Sequence, residues 1–409
     1  MSDEQLWTLM FNVLRETRKH KRFGRDCAEF ERNWAPLLMR MIYELKARSF
    51  RIDHNYAFLV SRPKWREIFA TSFEGRVADH LLCDILKPYV EKELHPRTFN
   101  NREGKGAQSA INQVIDDISE VSCAHTQPCR IIKWDLKGFF PNARRDITAR
   151  KFDKVIDKYK YDIIESYGSG FVHFLKWLVM ICVEGAPSCH CERRTPKELW
   201  YHISKEKSLF HKPPGIGVPI GRLTSQMGMG LYLNDEVEWL NEDCGIRSTL
   251  FMDDCVMVVP ERLHNYSLSL FPELRRRLAV KGISLNEKKF YDQPYQRGVK
   301  FLGVRIKPYR IIVNDKTFDS LMKHIDEFNN LSYGKKYASI DRFISTVNSY
   351  SGLLKGKTSY SRLQALKNRI CPEWWQWLGW DYERLCVVSK PQHNFRARLK
   401  KKYHLKMRK

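Results

Sequence analysis

The spacing of hydrophobic residues changes along the chain between a helical and a strand period, which predicts a mixed α and β protein. In the first 50 residues apolar side chains recur every three or four positions, at Leu6, Met10 and Val13 and again at Leu38, Met41 and Leu45. Short apolar runs predict strands at 56–60 and 64–69, separated by Pro63, and at 130–134, ending in Asp135. Two further runs, 249–252 and 255–259, flank Asp253-Asp254 and predict a hairpin with an acidic turn. From about residue 317 the helical period returns.

The charge balance narrows the choice of partners. Lys and Arg total 71 against 47 Asp and Glu, a formal net charge of +24, and such a basic chain favours a polyanion, either nucleic acid or an anionic membrane. No apolar run approaches the roughly 18–20 residues of a spanning helix, so we expect nucleic acid and no membrane. The N-terminus begins Met-Ser-Asp-Glu-Gln without a basic and apolar leader, so we expect a cytoplasmic protein. A hydrophobic content of 43% excludes wholesale disorder.

The eleven cysteines are spread mostly singly, which predicts reduced thiols rather than a disulfide framework. One cluster, Cys182 followed by Cys189-His190-Cys191, has two interpretations. Ligands one residue apart can hold zinc, although CxxC spacing is far commoner. Free thiols in a surface segment are the alternative, and the sequence leaves both open.

Three separated motifs are candidates for the chemistry. The first is the strand that ends in Asp135 and continues to Phe140, the second is the glycine-containing segment 217–226, and the third is Asp253-Asp254. An acidic turn alone is common, because Asp is a frequent turn residue. Carboxylates at strand ends, however, are rigidly aimed and suit Mg²⁺. Two such ions lower the pKa of an attacking hydroxyl and stabilise a phosphate leaving group. The set therefore predicts phosphoryl transfer on nucleic acid.

These motifs, in unbroken order over roughly residues 50 to 310, resemble those of a reverse transcriptase of the bacterial type. The matching segments are the fingers hairpin at Lys64-Trp65-Arg66, a second fingers block with Arg102 and Lys105, motif A at 135–140, motif B at 217–226, motif C at 251–254, motif D at 285–289 and the primer grip at 300–303. The resemblance implies an α+β right-hand polymerase with fingers, a palm with an antiparallel sheet and a helical thumb.

The resemblance also implies five segments. They are an N-terminal helical basic extension at 1–50, fingers at 51–128, a palm at 129–310 with an insertion at about 184–214, a helical thumb at 311–385 and a basic C-terminal tail at 386–409. Residues 390–409 hold nine Lys or Arg and no acid, which predicts an arm that tracks RNA or DNA. Little sequence follows the thumb, so we expect any nuclease, accessory protein or second polymerase subunit to be a separate chain.

Carried over position by position, the resemblance implies a role for each site residue. Two Mg²⁺ ions, with Mn²⁺ as an alternative, would be held by Asp135, Asp253, Asp254 and the backbone carbonyl of Leu136. Lys289 would protonate the pyrophosphate. The incoming dNTP would be bound by Lys64, Arg66, Leu136, Phe140, Gly221 and Gln226, with the Phe140 ring excluding a ribose 2′-OH. Template and primer would contact Arg102, Lys105, Ser225, Phe251, Phe301, Leu302 and Gly303.

Departures from the family pattern bear on the biological role. Phe251 stands where tyrosine is usual, which removes a hydroxyl and keeps the ring. The Ile220-Gly221 and Ser225-Gln226 pairs resemble diversity-generating retroelements, whereas the insertion resembles the lineage-specific additions of defence-associated bacterial reverse transcriptases. We expect cDNA synthesis from a dedicated, structured non-coding RNA in anti-phage defence. Mutagenic cDNA synthesis for diversification is the alternative, and a catalytically idle RNA-binding scaffold is the alternative of another class. The priming mode, template sequence and oligomeric state do not follow from the sequence.

Overall fold

Helices and short, mainly antiparallel strands make up the computed structural model, which describes residues 3–19, 24–61, 64–354, 360–384 and 386–390. The α-helices of the described chain are α1 (Asp3–Thr17), α2 (Arg25–Arg32), α3 (Trp34–Lys46), α4 (Phe73–Glu93), α5 (Ala107–Val121), α6 (Phe139–Asn142), α7 (Arg145–Lys158), α8 (Lys160–Tyr167), α9 (Phe171–Val179), α10 (Leu223–Tyr232), α11 (Asn234–Glu238), α12 (His264–Ser269), α13 (Phe271–Val280), α14 (Asp315–Asn329), α15 (Tyr333–Ala338), α16 (Ile340–Leu354) and α17 (Tyr360–Arg369). The strands are β1 (Asn55–Val60), β2 (Arg66–Thr71), β3 (Cys129–Asp135), β4 (Cys191–Arg193), β5 (Arg247–Phe251), β6 (Asp254–Pro260), β7 (Tyr291–Pro294), β8 (Val299–Phe301), β9 (Val304–Lys307), β10 (Arg310–Val313), β11 (Leu378–Asp381) and β12 (Cys386–Ser389).

The chain divides into two compact units, residues 1–292 and 293–409. In the first unit, α1 and α3 pack their apolar faces against α4, and residues such as Met10, Leu38 and Leu81 are fully buried there. Helices α1, α2 and α3 lie within the predicted extension over residues 1–50, and residues 20–23 of its basic stretch lie outside the described residues. Helix α4 begins where the Ser72 hydroxyl accepts a hydrogen bond from the Gly75 backbone N–H, the usual N-cap contact.

A four-stranded sheet in the order β5-β6-β3-β7 forms the centre of the first unit. Strands β3 and β6 pair antiparallel over their whole length, and β5 and β6 form a hairpin in which Phe251 faces Asp254. One face of the sheet is packed with buried apolar side chains, among them Ile132, Trp134 and Met257. This confirms the α+β class with an antiparallel palm sheet, and it places the acidic turn at the end of the sheet where β3 also ends.

The segment at about 184–214, which was predicted as an insertion within the palm, contributes its strand to the sheet of the fingers hairpin. Strand β4 lies parallel to β1, so the small sheet that contains the β1–β2 hairpin has the order β2-β1-β4. Glu192 and Arg193 make β4 polar, but backbone pairing with the free edge of β1 requires no apolar pattern. The segment is thus a structural part of the fingers.

The second unit contains the β8–β9–β10 sheet, helices α14 to α17 and the hairpin of β11 and β12. Trp374 and Trp377 are buried in the core of this unit. The unit begins at residue 293, before the predicted palm boundary at 310, because the three short strands pair with one another. Residues 386–389 belong to a strand that pairs with β11, and the predicted tail from 391 onward lies outside the described residues.

Within the described chain, no individual helix has the length and apolar character to cross a membrane; helices 160–167 and 171–184 meet those two criteria only as a pair bent by 112°.

Candidate active site

The structure places the three predicted metal-binding residues at the same end of the palm sheet. Asp135 ends β3, Asp254 begins β6, and the two residues are direct partners in the antiparallel register. Asp253 precedes Asp254 in the tight turn, and its backbone carbonyl accepts a hydrogen bond from the Leu136 N–H at 3.2 Å. Met252, also in that turn, has a φ of +58°, which side-chain-bearing residues seldom adopt. Sheet pairing therefore fixes the acidic turn against the end of β3.

Motif D closes the site from the other side of Asp135. The Leu285 backbone bridges Leu136, and the Asn286 N–H donates to the Asp135 carbonyl at 2.8 Å. The Lys289 ammonium then reaches the buried Asp135 carboxylate at 2.5 Å. Although burial lowers the pKa of Lys289, its hydrogen bond to Asp135 and the surrounding negative charge raise it overall. Lys289 is thus a charged ammonium held beside Asp135.

The environment of the two carboxylates in the acidic turn disfavours their charged forms. Burial, together with repulsion from Asp135, raises the pKa of both Asp253 and Asp254. For Asp254 this rise is offset in part by Lys133, whose ammonium lies 3.1 Å from the carboxylate. Lys133 was missed in the sequence, although it lies two positions before Asp135 and therefore on the same face of β3.

The motif B loop, residues 217–222, lies against the fingers hairpin and the segment after motif A. The Phe69 N–H of β2 donates to the Ile220 carbonyl at 2.8 Å, and the Val218 N–H donates to the Phe140 carbonyl at 2.8 Å. Gly221 has a φ of +118°, and a Cβ there would lie 2.7 Å from the Phe69 carbonyl oxygen. Only glycine suits this close approach. The loop thus joins two elements that carry predicted nucleotide-binding residues.

A buried ion pair anchors the end of this loop and was also missed in the sequence. The Arg222 guanidinium donates to both carboxylate oxygens of Asp79 on α4, at 2.9 and 2.5 Å, and the Thr224 hydroxyl donates to the same carboxylate at 3.3 Å. Both charged side chains are about 4% exposed or less. Burial lowers the pKa of Arg222, but Asp79 outweighs that effect and raises it, so the guanidinium stays charged. The start of α10, with Ser225 buried and Gln226 half-buried, is therefore held on α4.

The predicted fingers residues differ in their surroundings. Lys64 is exposed and Arg66 is half-buried at the start of β2, so both are placed to meet a ligand. Arg102 instead donates hydrogen bonds to Glu91 and to the carbonyls of His95 and Thr98, with 8% of its side chain exposed. Lys105 donates to the Pro96 carbonyl and lies 5.0 Å from the Phe99 ring centroid.

These intramolecular contacts give Arg102 a structural role in its own loop. Its buried guanidinium satisfies backbone carbonyls that would otherwise lack donors. Contact of Arg102 or Lys105 with a template stays a prediction.

The predicted primer grip belongs to the second unit. Phe301 is buried at the end of β8, and Leu302 and Gly303 form the two-residue turn to β9, with φ of +46° and +85°. Two consecutive positive φ values are those of a type I′ hairpin turn. The motif is therefore a tight hairpin, and its function as a primer grip stays a prediction.

The donor set fits divalent cations by its chemistry. Among the described residues, no three His, Cys, Asp or Glu side chains stand grouped so as to hold a metal ion. Asp135, Asp253 and Asp254 nevertheless supply the hard oxygen donors that Mg²⁺ prefers, and cations would relieve the mutual repulsion that raises two of their pKa values.

The cysteine cluster has different features. Cys182 is buried, Cys189 is exposed, and burial raises the pKa of Cys191 to about 11. Zinc binds thiolates, which a raised pKa disfavours. These features favour the free-thiol interpretation.

Comparison with known proteins identifies the family. A family model described as reverse transcriptase (RNA-dependent DNA polymerase) matches residues 60–306, more than half of the chain. The chain belongs to this reverse transcriptase family. No curated protein sequence matches it.

Several solved structures are similar at low identity. Apo telomerase from Candida tropicalis is 10% identical, with 84% of this chain and 68% of that chain covered and a TM-score of 0.47. A form truncated from the C-terminal domain is 10% identical, with 64% and 55% covered and a TM-score of 0.45. Telomerase from Candida albicans, in complex with a TWJ fragment of telomeric RNA, is 11% identical, with 84% and 65% covered and a TM-score of 0.41. The present chain thus spans about half of the truncated telomerase chain.

Proposed function

We propose that the protein is an RNA-directed DNA polymerase that synthesises cDNA from dNTPs on a dedicated, structured non-coding RNA. The observation that carries this proposal is the meeting of Asp135 with the Asp253-Asp254 turn at the end of one sheet, with Lys289 on the same carboxylates. Membership of the reverse transcriptase family supports the same chemistry. The net charge of +24 supports a nucleic-acid partner.

The residues of the site divide the work of phosphoryl transfer among them. Asp135, Asp253 and Asp254, with the Leu136 carbonyl, would hold two divalent cations, Mg²⁺ or Mn²⁺. When bound, such ions lower the pKa of a primer 3′-hydroxyl and offset the charge of the leaving pyrophosphate. Lys289, whose raised pKa keeps it protonated, would donate a proton to that pyrophosphate from its position beside Asp135.

Nucleotide binding falls to the elements around the motif B loop. Arg66 on β2 and Lys64 before it would bind the triphosphate by charge. Gly221 allows β2 to approach the loop, and the Phe140 carbonyl fixes the loop from the other side. The half-buried Phe140 ring packs edge-on against Phe139, which limits its freedom beside the sugar. Ser225 and Gln226, at the start of α10, would lie under the template and primer with Phe251.

A primer-extension experiment with matched variants tests the polymerase. The wild-type protein, Asp253→Asn and Asp243→Asn would be given an RNA template, a DNA primer and labelled dNTPs with Mg²⁺. We expect the Asp253 variant to lose incorporation and the exposed Asp243 variant to retain it, because only the first carboxylate lies in the site. Equal incorporation by all three proteins would refute the proposal, and binding of RNA without any incorporation would favour the idle scaffold.

For the biological role we propose bacterial anti-phage defence. The segment at 184–214, which adds a strand to the fingers, supports a lineage-specific adaptation of this kind. The Ile220-Gly221 and Ser225-Gln226 pairs favour a second candidate, mutagenic cDNA synthesis for diversification. Sequencing of the RNA and cDNA that co-purify with the protein separates these roles. One fixed, faithfully copied RNA favours defence, and cDNA with frequent substitutions at one template base favours diversification.

A further inference from the structure

The 184–214 segment connects the fingers hairpin to the motif B loop by a continuous set of contacts. At its first end, the Asn55 N–H donates to the His190 carbonyl and the Arg194 N–H donates to the Ala57 carbonyl at 2.8 Å, on either side of β4. The Leu59 N–H then donates to the Thr195 hydroxyl at 2.9 Å. These bonds satisfy the edge of β1, which would otherwise be open.

In the middle of the segment, a buried carboxylate of the hairpin holds the chain. Glu67 lies next to Arg66 on β2 and points to the opposite face of the strand. Its two carboxylate oxygens accept hydrogen bonds from the Ser208 hydroxyl and the Leu209 N–H, both at 2.7 Å. Glu67 is 6% exposed. A buried carboxylate with two donors from one short segment fixes that segment closely to the strand.

At its second end, the segment packs on the motif B loop. The Leu209 side chain is buried against Ala57 and Phe69 of the hairpin. The same side chain lies so close to Gly217 that a Cβ at Gly217 would be 2.3 Å from it. Leu209 therefore contacts both the fingers hairpin and the motif B loop, the two elements around the predicted nucleotide-binding residues. A substitution at Leu209 would alter the separation of these two elements.

Resting on the function proposed above, the geometry points to the 184–214 segment as a brace that fixes the fingers hairpin against the motif B loop for dNTP binding, with Glu67 as its positioning residue. Arg66 lies on the face of β2 away from the brace, so its contact with a triphosphate depends on where the brace holds the strand. Pre-organisation of this kind strengthens nucleotide binding, since the hairpin need not be ordered on each encounter. Glu67 touches neither substrate nor metal in this arrangement and acts through the strand.

Steady-state kinetics on full-length variants tests the brace. Glu67→Ala removes the two carboxylate oxygens that accept from Ser208 and Leu209. Leu209→Ala removes the apolar contact with the fingers hairpin and with the motif B loop. We expect each to raise the KM for dNTP about tenfold while kcat stays within about twofold, the pattern of lost substrate binding. Glu67→Gln should keep the KM near that of the wild type, because its carbonyl oxygen can accept from the Leu209 N–H while its amide donates to the Ser208 hydroxyl. Ser208→Ala removes the hydroxyl's bond to Glu67, together with the cap contact that this hydroxyl accepts from the Phe210 N–H, and leaves the Leu209 N–H bond to Glu67 in place. It covers the case in which Glu67→Ala does not fold.

A matched control separates positioning from general destabilisation. Asp292 accepts hydrogen bonds from Arg130 and His264 at the end of the palm sheet opposite Asp135. Asp292→Ala therefore loses comparable bonds without disturbing the fingers, and its KM for dNTP should not change. An unchanged KM in the Glu67, Ser208 and Leu209 variants, or an equal rise in the control, overturns the brace. Absence of incorporation by the wild-type protein would instead overturn the polymerase itself.

Discussion

The buried pair of Asp79 and Arg222 offers a sharp test of how the motif B loop is held. Arg222→Met would leave the Asp79 carboxylate buried at 3% exposure without a positive charge beside it, with the Thr224 hydroxyl and the Cys182 thiol as hydrogen-bond donors. Removal of one partner from a desolvated, bidentate pair costs about 3–5 kcal/mol, because the other charge stays buried and uncompensated. Asp79→Leu should cost a similar amount, since it strands the guanidinium.

The double variant gives the decisive comparison. With both charges gone, neither desolvation penalty remains, and apolar residues of similar volume fill the space. We therefore expect the double variant to be more stable than either single variant, with a large favourable coupling free energy. At about 2–4 °C per kcal/mol for a domain of this size, each single variant should lower the Tm of the first unit by roughly 6–20 °C.

Thermal and urea unfolding followed by circular dichroism measure these differences. The exposed pair of Arg276 and Glu273 serves as the control, because solvent and salt screen it. Arg276→Met should leave the Tm essentially unchanged. If the single variants at Asp79 and Arg222 add in the double variant, the two side chains do not act as a pair and the argument fails.

Three further outcomes follow from the site. Gly221→Ala should raise the KM for dNTP and lower the Tm, because the new Cβ would lie 2.7 Å from the Phe69 carbonyl oxygen at a φ of +118°; unchanged values would mean that the loop moves freely. Phe140→Ala should increase the relative kcat/KM for rNTPs by about tenfold or more if the ring excludes the 2′-OH, and an unchanged ratio would make the ring a core residue only. Burial raises the pKa of Glu67 despite its two donors. In the folded protein Glu67 therefore stays protonated at pH values above the pKa that it has in the unfolded chain. The wild-type protein should lose stability as the pH rises from the unfolded pKa to the raised folded pKa, whereas Glu67→Gln should not. Measuring the Tm of both proteins from about pH 4 to 7, a range that covers the titration of carboxyl groups, checks this prediction. Identical pH profiles for the two proteins would contradict it.

The palm site could be predicted because its signals are local in the sequence. Asp135 ends a mostly apolar strand, and Asp253-Asp254 lies in a short turn between two apolar runs that are easily identified as strands. Given two such strands, antiparallel pairing brings their acidic ends together. Lys133 could have been added from the period of two along β3, which puts it on the face of Asp135.

The contacts that hold the motif B loop and the fingers hairpin could not be predicted, because no periodic pattern in the sequence indicates them. Strand β4 is three residues long and polar, and it pairs with a strand far earlier in the chain. Asp79 is a polar residue on a helix, and the sequence alone would suggest that such a side chain faces solvent. Its buried ion pair with Arg222 is evident only in the folded structure. Arg102 likewise satisfies backbone carbonyls of its own loop, and the sequence gives no signal for these contacts.

These two classes of residue have different consequences for variation of the enzyme. The carboxylates are fixed by pairing within one sheet, so a substitution in the 184–214 segment does not move them. The motif B loop, in contrast, is held by the Phe69 N–H, by the Phe140 carbonyl and by Asp79, three elements outside its own sequence. If the proposed function holds, a change in the brace would act on nucleotide binding through the position of β2, while Asp135 and the 253–254 turn stay in place. Substitutions in the 184–214 segment would then change the affinity and selectivity for nucleotides without disturbing the chemistry of the palm.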